Sequence, residues 1–126
     1  MAVVNALEAK NLFKVFGRSP KQAVSRLKAG QSRADVVDAG TAAVIDASFI
    51  VQRGEIFVIM GLSGSGKSTI IRMLNGLLEP TAGEVIVQGQ NVTKASAAEL
   101  RAIRRASVSM VFQHFALLPH RTVIDN

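Results

Sequence analysis

EIFVIMGLSGSGKST, residues 55–69, sets a short apolar run against three glycines, three serines, a lysine and a threonine. Glu55 to Met60 carries apolar residues on both faces, the pattern of a central parallel strand covered on each side. The residues that follow fit the spacing G-x-x-x-x-G-K-S/T, with Gly61, Gly66, Lys67 and Ser68 in register. Beyond them Ile70, Ile71, Leu74, Leu77 and Leu78 mark the buried side of a helix, which Glu79-Pro80 breaks. Strand, glycine loop and helix in this order meet the needs of a triphosphate site. Backbone N–H groups must point inward without side chains in the way, so Gly61, Gly64 and Gly66 leave the approach open while Ser63 and Ser65 complete the loop. The next helix aims its positive N-terminal end at the phosphates. Lys67 then bridges the terminal phosphates as a point charge. Ser68 offers a hydroxyl to Mg²⁺, and Thr69 touches a phosphate. The motif speaks for nucleotide binding and leaves the use of the nucleotide open.

Upstream, residues 3–15 mix apolar and polar positions as a strand does, ended by Phe16-Gly17. Ser19-Pro20 reads as a helix start, with Ala23, Val24 and Leu27 on its buried side and Gly30 as its stop. Ser32, with Asp35 three residues on, predicts a second short helix ending at Gly40. Ala43 to Val51 is a further strand and Arg53-Gly54 a turn. Downstream, Glu84 to Gln88 alternates as a short strand ended by Gly89. Ser96-Ala97-Ala98-Glu99 is a capping box opening a helix through about Arg105. Ser107 to Phe112 predicts another strand, and Gln113 to Arg121 a loop.

Composition bounds the rest. The chain has 126 residues, 48% of them hydrophobic, and no cysteine. That is one domain's worth of chain, without disulfides or thiolate metal sites. No apolar run approaches the roughly 18 residues of a membrane span, and residues 1–11 lack the pattern of a signal peptide. The net charge is +6, but Lys10, Lys14, Arg18, Lys21, Arg26, Lys28 and Arg33 are scattered. Aromatic residues for base stacking are few, so a nucleic-acid-binding module is the weaker reading of the charge. Arg101, Arg104 and Arg105 read as a solvated helix face.

Leu74-Asn75-Gly76-Leu77-Leu78-Glu79-Pro80-Thr81-Ala82-Gly83-Glu84-Val85 resembles the stretch after the phosphate loop in ABC transporter ATPases. Val111-Phe112-Gln113 resembles their Q-loop, and Leu118-Pro119 with Thr122-Val123 and Asn126 the segment after it. The helical insertion at 18–40, together with EIFVIMGLSGSGKST and FQHFALLPH, is most similar to the ATPase subunits of glycine betaine/proline uptake systems. The resemblance covers nearly all of residues 1–126. It implies an α/β P-loop NTPase core of the ABC ATPase type with an N-terminal antiparallel β subdomain.

It also implies roles. Phe16 matches the aromatic that stacks on adenine, with a core role as its alternative and Phe13 as a nearby competitor. Residues 61–69 match the ATP and Mg²⁺ loop. Gln113 matches the glutamine that reaches the metal and the attacking water, which makes Lys67 and Gln113 the candidate catalytic residues. The implied partners are a transmembrane permease subunit, faced by residues 114–122, a second ATPase subunit and, indirectly, a solute-binding protein. The implied location is the cytoplasmic face of the cell membrane, held peripherally. His114 and His120 match no functional histidine and read as loop residues. The family's signature motif, its Asp-Glu strand and its switch histidine have no counterpart in residues 1–126. The expectation is therefore the front part of a longer ATPase, inactive in hydrolysis without them. A P-loop ATPase or kinase outside transport is the alternative, disfavoured by Gln113 and the segment after it.

Overall fold

The computed structural model describes residues 4–114 and 116–126. The expected strand start at residue 3, and Phe115 within the 114–122 segment, lie outside the described residues. The elements are β1 (Leu7–Phe16), α1 (Pro20–Lys28), β2 (Thr41–Val51), α2 (Lys67–Leu74), β3 (Ala82–Val87), β4 (Gln90–Asn91) and α3 (Ala97–Ser107). The strands form one sheet in the order β2-β1-β3-β4, with every neighbouring pair antiparallel.

β1 lies between two cores. Ala9 and Leu12 join Val44, Met73, Val85, Val87, Val92 and Ile103 in the first, with parts of α2 and α3 packed on it. Phe13 and Val15 join Ala23, Val24, Leu27 and Val36 in the second, which takes in α1 and the turns after it. Strict alternation would send Ala9 and Phe13 to the same face. An extra residue on β1 between Ala9 and Leu12 resets the count, with Asn11 at φ 47. Asn11 is tied across to β2, its N–H donating to Ser48 Oγ at 2.8 Å and its Nδ2 to Asp46 Oδ1 at 2.8 Å. On β2 the pairings Lys14↔Val44 and Val15↔Ala42 leave Ala43 as an extra residue. Ala42 therefore faces the second core and Val44 the first.

Residues 18–40 comprise α1 and a string of turns. Pro20 opens α1 as expected, and Ala23, Val24 and Leu27 are buried. Residues 33–39 form successive turns rather than the predicted second helix. Asp35 N–H donates to Ser32 Oγ at 3.3 Å, and Ser32 N–H and Oγ each donate to Asp35 Oδ2 at 2.7 Å. This local closure, with Val36 fully buried, satisfies the chain before a helix nucleates, and so short a helix is costly to start. The Ser32 backbone N–H, followed by its hydroxyl, holds the Asp35 carboxyl below its ordinary pKa. Arg26 then staples the turns to α1, donating from NH1 to both Asp38 carboxylate oxygens at 2.9 Å.

Three further expectations are corrected. Glu55 to Met60 forms no strand, and Ile56 is 91% exposed and Met60 85%. Ser107 ends α3, and residues 108–112 are likewise unpaired. A strand exists only where a neighbour completes its ladder, and among the described residues neither run has one. The Phe57 ring stacks on Phe49 instead, centroids 4.9 Å apart. α2 ends at Leu74, short of Leu78, because Asn75 caps it and Gly76 takes φ 74. Ile71 within the helix and Leu77 beyond it are exposed, Ile70, Leu74 and Leu78 pack partly buried against the first core, and Met73 is the helix's buried residue.

Arg104 corrects the reading of a solvated arginine face. It is partly buried, and its Nε donates to Asn75 O at 3.0 Å and its NH2 to Gly76 O at 2.6 Å. α3 is thereby clamped to the C-terminal end of α2, where a cation also meets the negative end of the helix dipole. The capping box of α3 is as expected, with Ser96 Oγ accepting from Glu99 N–H and Glu99 Oε2 from Ser96 N–H.

Candidate phosphate site at the start of α2

Gly66 is the residue before α2 and sits in left-handed backbone at φ 97. A Cβ there would run into the Ala43 carbonyl, so the loop rests on the bulged residue of β2. The first helical bond runs from Ile70 N–H to Gly66 O at 3.0 Å. The N–H groups of Lys67, Ser68 and Thr69 therefore have no partner in the helix, and no side chain caps them. No acidic residue stands in the first turn to offset the positive helix end.

These residues bound a concavity of about 180 Å³, lined by Ala43, Gly64, Ser65, Gly66, Lys67, Ser68 and Thr69. Lys67 is folded back over it. Its Nζ donates to Gly61 O and Leu62 O at 2.6 Å each and to Ser65 Oγ at 3.2 Å. The ammonium is thus held by three oxygens at the mouth of a cradle of free N–H groups. Phosphate oxygens entering there would supply equivalent acceptors. A Gly61 Cβ would meet Ser65 Oγ at 2.5 Å, crowding one of the lysine's three partners. A larger cleft, about 440 Å³, lies between the far end of α2, β3 and residues 107–110.

The other expected residues are placed as follows. Ser63 is exposed in the loop turn and does not line the concavity. Phe13 is buried in the second core, which removes it as a competitor for the aromatic position. Phe16 is not a core residue; it is 45% exposed at the end of β1. It pairs with Thr41, two positions along β2 from Ala43, against which Gly66 rests. Alternation from Leu12 puts Lys14 and Phe16 on the sheet face that carries Met73 of α2. Gln113 is exposed in a turn after the unpaired run and lines no part of the concavity. Ala43 was missed by sequence reasoning, because nothing in a run of small and apolar residues marks a bulge. Lys14 was missed as well. Its signal was the two-residue spacing from Phe16.

A family profile described as ABC transporter matches residues 44–126, which include the glycine loop and α2. The chain belongs to the ABC transporter family. It is 52% identical to the glycine betaine/proline betaine transport system ATP-binding protein ProV of Escherichia coli, over 95% of this chain and 30% of that protein. It is 49% identical to the glycine betaine transport ATP-binding protein OpuAA of Bacillus subtilis, over 95% of this chain and 29% of that one. The chain thus spans about 30% of the length of these curated relatives. Among solved structures, a dimeric ATP-binding cassette in a post-hydrolysis state bound to ADP and Pi matches with a TM-score of 0.73 and 29% identity. That match covers 94% of this ABC-family chain and 44% of the cassette.

Proposed function

We propose that this chain supplies the nucleotide-binding front part of an ATPase subunit that drives import of glycine betaine- or proline-type solutes. The observation that carries the reading is the start of α2: three free N–H groups, a lysine ammonium held over them, and a glycine pressed against β2. The cradle fits a polyphosphate because a Cβ at Gly66 has no room and the lysine already has oxygen acceptors. The 52% identity to ProV, named as an ATP-binding protein of a glycine betaine/proline betaine transport system, supports the solute class.

In this reading the loop residues bind and orient the β- and γ-phosphates of ATP. Lys67 exchanges its carbonyl partners for phosphate oxygens, and Phe16 offers a face to the adenine. Mg²⁺, when bound, would screen the phosphate charge, with the Ser68 hydroxyl at the concavity as its protein ligand; Gln113 lies outside the concavity and does not fit that role in this structure. Among the described residues no group of three or more His, Asp or Glu side chains could hold a metal unaided. The partners we propose are a transmembrane permease subunit on the side of residues 114–122, a second ATPase subunit, and indirectly a solute-binding protein. The place of work is the cytoplasmic face of the membrane. No described helix is long and apolar enough to cross one, which suits a peripheral subunit.

The test is Lys67→Ala, measured by calorimetry with Mg-ATP. Loss of the ammonium should weaken binding at least tenfold, since charge-assisted hydrogen bonds contribute about 1.5–3 kcal/mol. Unchanged affinity would overturn the phosphate-loop reading.

A further inference from the structure

Lys14 sits on β1 two residues before Phe16, so the two side chains share a face of the sheet. Its Nζ lies 5.1 Å from the centroid of the Phe16 ring. The same ammonium donates to Glu79 O at 2.7 Å. That carbonyl is itself fixed. Thr81, two residues on, donates its N–H to Phe13 O at 2.8 Å and accepts from Val15 N–H at its hydroxyl at 3.0 Å. Lys14 is half-buried, yet Phe16 keeps 45% exposure with the ammonium in place.

We propose that Lys14 is a positioning residue for the nucleobase, holding the Phe16 ring from one face so that a base stacks on the other. The inference rests on the reading of residues 61–69 as an ATP site. Three features support it. A cation over a ring is attracted by the ring's quadrupole, and this fixes the orientation of an otherwise exposed side chain. An ammonium with one face of the ring leaves a base only the opposite face. The Glu79 carbonyl holds the ammonium in place from outside the pair, so the platform is set before a nucleotide arrives, which lowers the ordering cost of binding.

The prediction separates base from phosphate. ATP engages both the ring and the loop, whereas inorganic tripolyphosphate engages the loop alone. Binding of each is measured by calorimetry on the intact chain for wild type, Lys14→Met and Lys14→Arg, with a thermal melt of every variant. Lys14→Met keeps the apolar stem and removes the charge. It should weaken ATP by about two- to fivefold, the span expected of an exposed cation–π contact, and leave tripolyphosphate within experimental error. Lys14→Arg keeps a cation over the ring and should restore ATP affinity. Equal weakening of both ligands by Lys14→Met, or no weakening of either, overturns the inference and leaves the phosphate site standing. So does a failure of Lys14→Arg to rescue while its melt matches wild type. A wild-type chain that binds neither ligand overturns the phosphate-loop reading, and this inference with it.

Discussion

Gly66 and Gly64 belong to one loop and differ in what holds them. Both have positive φ, 97 and 77. Around Gly64 a Cβ would meet nothing within 4 Å, whereas at Gly66 it would strike the Ala43 carbonyl. Gly64→Ala should therefore cost only the left-handed backbone term, about 1–2 kcal/mol. Gly66→Ala carries that term plus about 1–3 kcal/mol for a contact that backbone cannot relieve. Urea unfolding of the two variants should rank them in that order. Equal destabilisation would mean that β2 does not seat the loop. Lys67 matters in a different way. Its three bonds are to the loop's own oxygens, so its loss affects an anion more than the fold.

Helices α2 and α3 act as a pair through Arg104. Its guanidinium takes the Asn75 and Gly76 carbonyls at the end of α2, while α3 runs on into residues 107–113. Arg104→Ala leaves two carbonyls without a charged donor, and hydrogen bonds to charged groups contribute about 1.5–3 kcal/mol. Arg101→Ala, on the exposed face of the same helix, should stay within about 0.5 kcal/mol of wild type. Denaturation midpoints at a constant m-value check both. Two equal effects would mean that the clamp contributes nothing beyond an ordinary surface arginine. The segment of α1 and the turns after it shows the same logic on a smaller span. α1 is fixed by its apolar stripe, and the turns after it by Arg26 and the Ser32–Asp35 closure.

Across the fold, two apolar runs stand open. Ile56, Val58 and Met60 are exposed by 91%, 66% and 85%, and Val111 by 94%. Exposed apolar surface on this scale favours association, and unpaired backbone beside it invites strand pairing with another chain. The +6 charge opposes this only weakly once salt screens it. The chain should bind an apolar dye and scatter more light as salt rises. Ile56→Lys with Val111→Lys should suppress both without lowering the melting temperature, since neither side chain is buried. A monodisperse monomer that ignores the dye would mean these runs are covered in solution.

The glycine loop, α1 and the capping box of α3 were legible in the sequence for one reason. Each is specified by residues close together along the chain, through a required φ, a cap or a helical stripe. The family follows from the same local strings. The bulges at Asn11 and Ala43, the face shared by Lys14 and Phe16, and the Arg104 clamp were not legible. Their partners lie far along the chain: Glu79 is 65 residues from Lys14, and Asn75 is 29 from Arg104. Glu55 to Met60 shows the limit most clearly. Its composition says that it could pair on two sides, but a strand forms only when a neighbour offers its backbone, and composition cannot supply that neighbour. Phe16 was undecided for a related reason. Its pattern fitted core and surface equally, and the extra residue at Asn11, held by Ser48 and Asp46 on the next strand, sent Phe13 to the second core and Phe16 to the opposite face, where it is exposed.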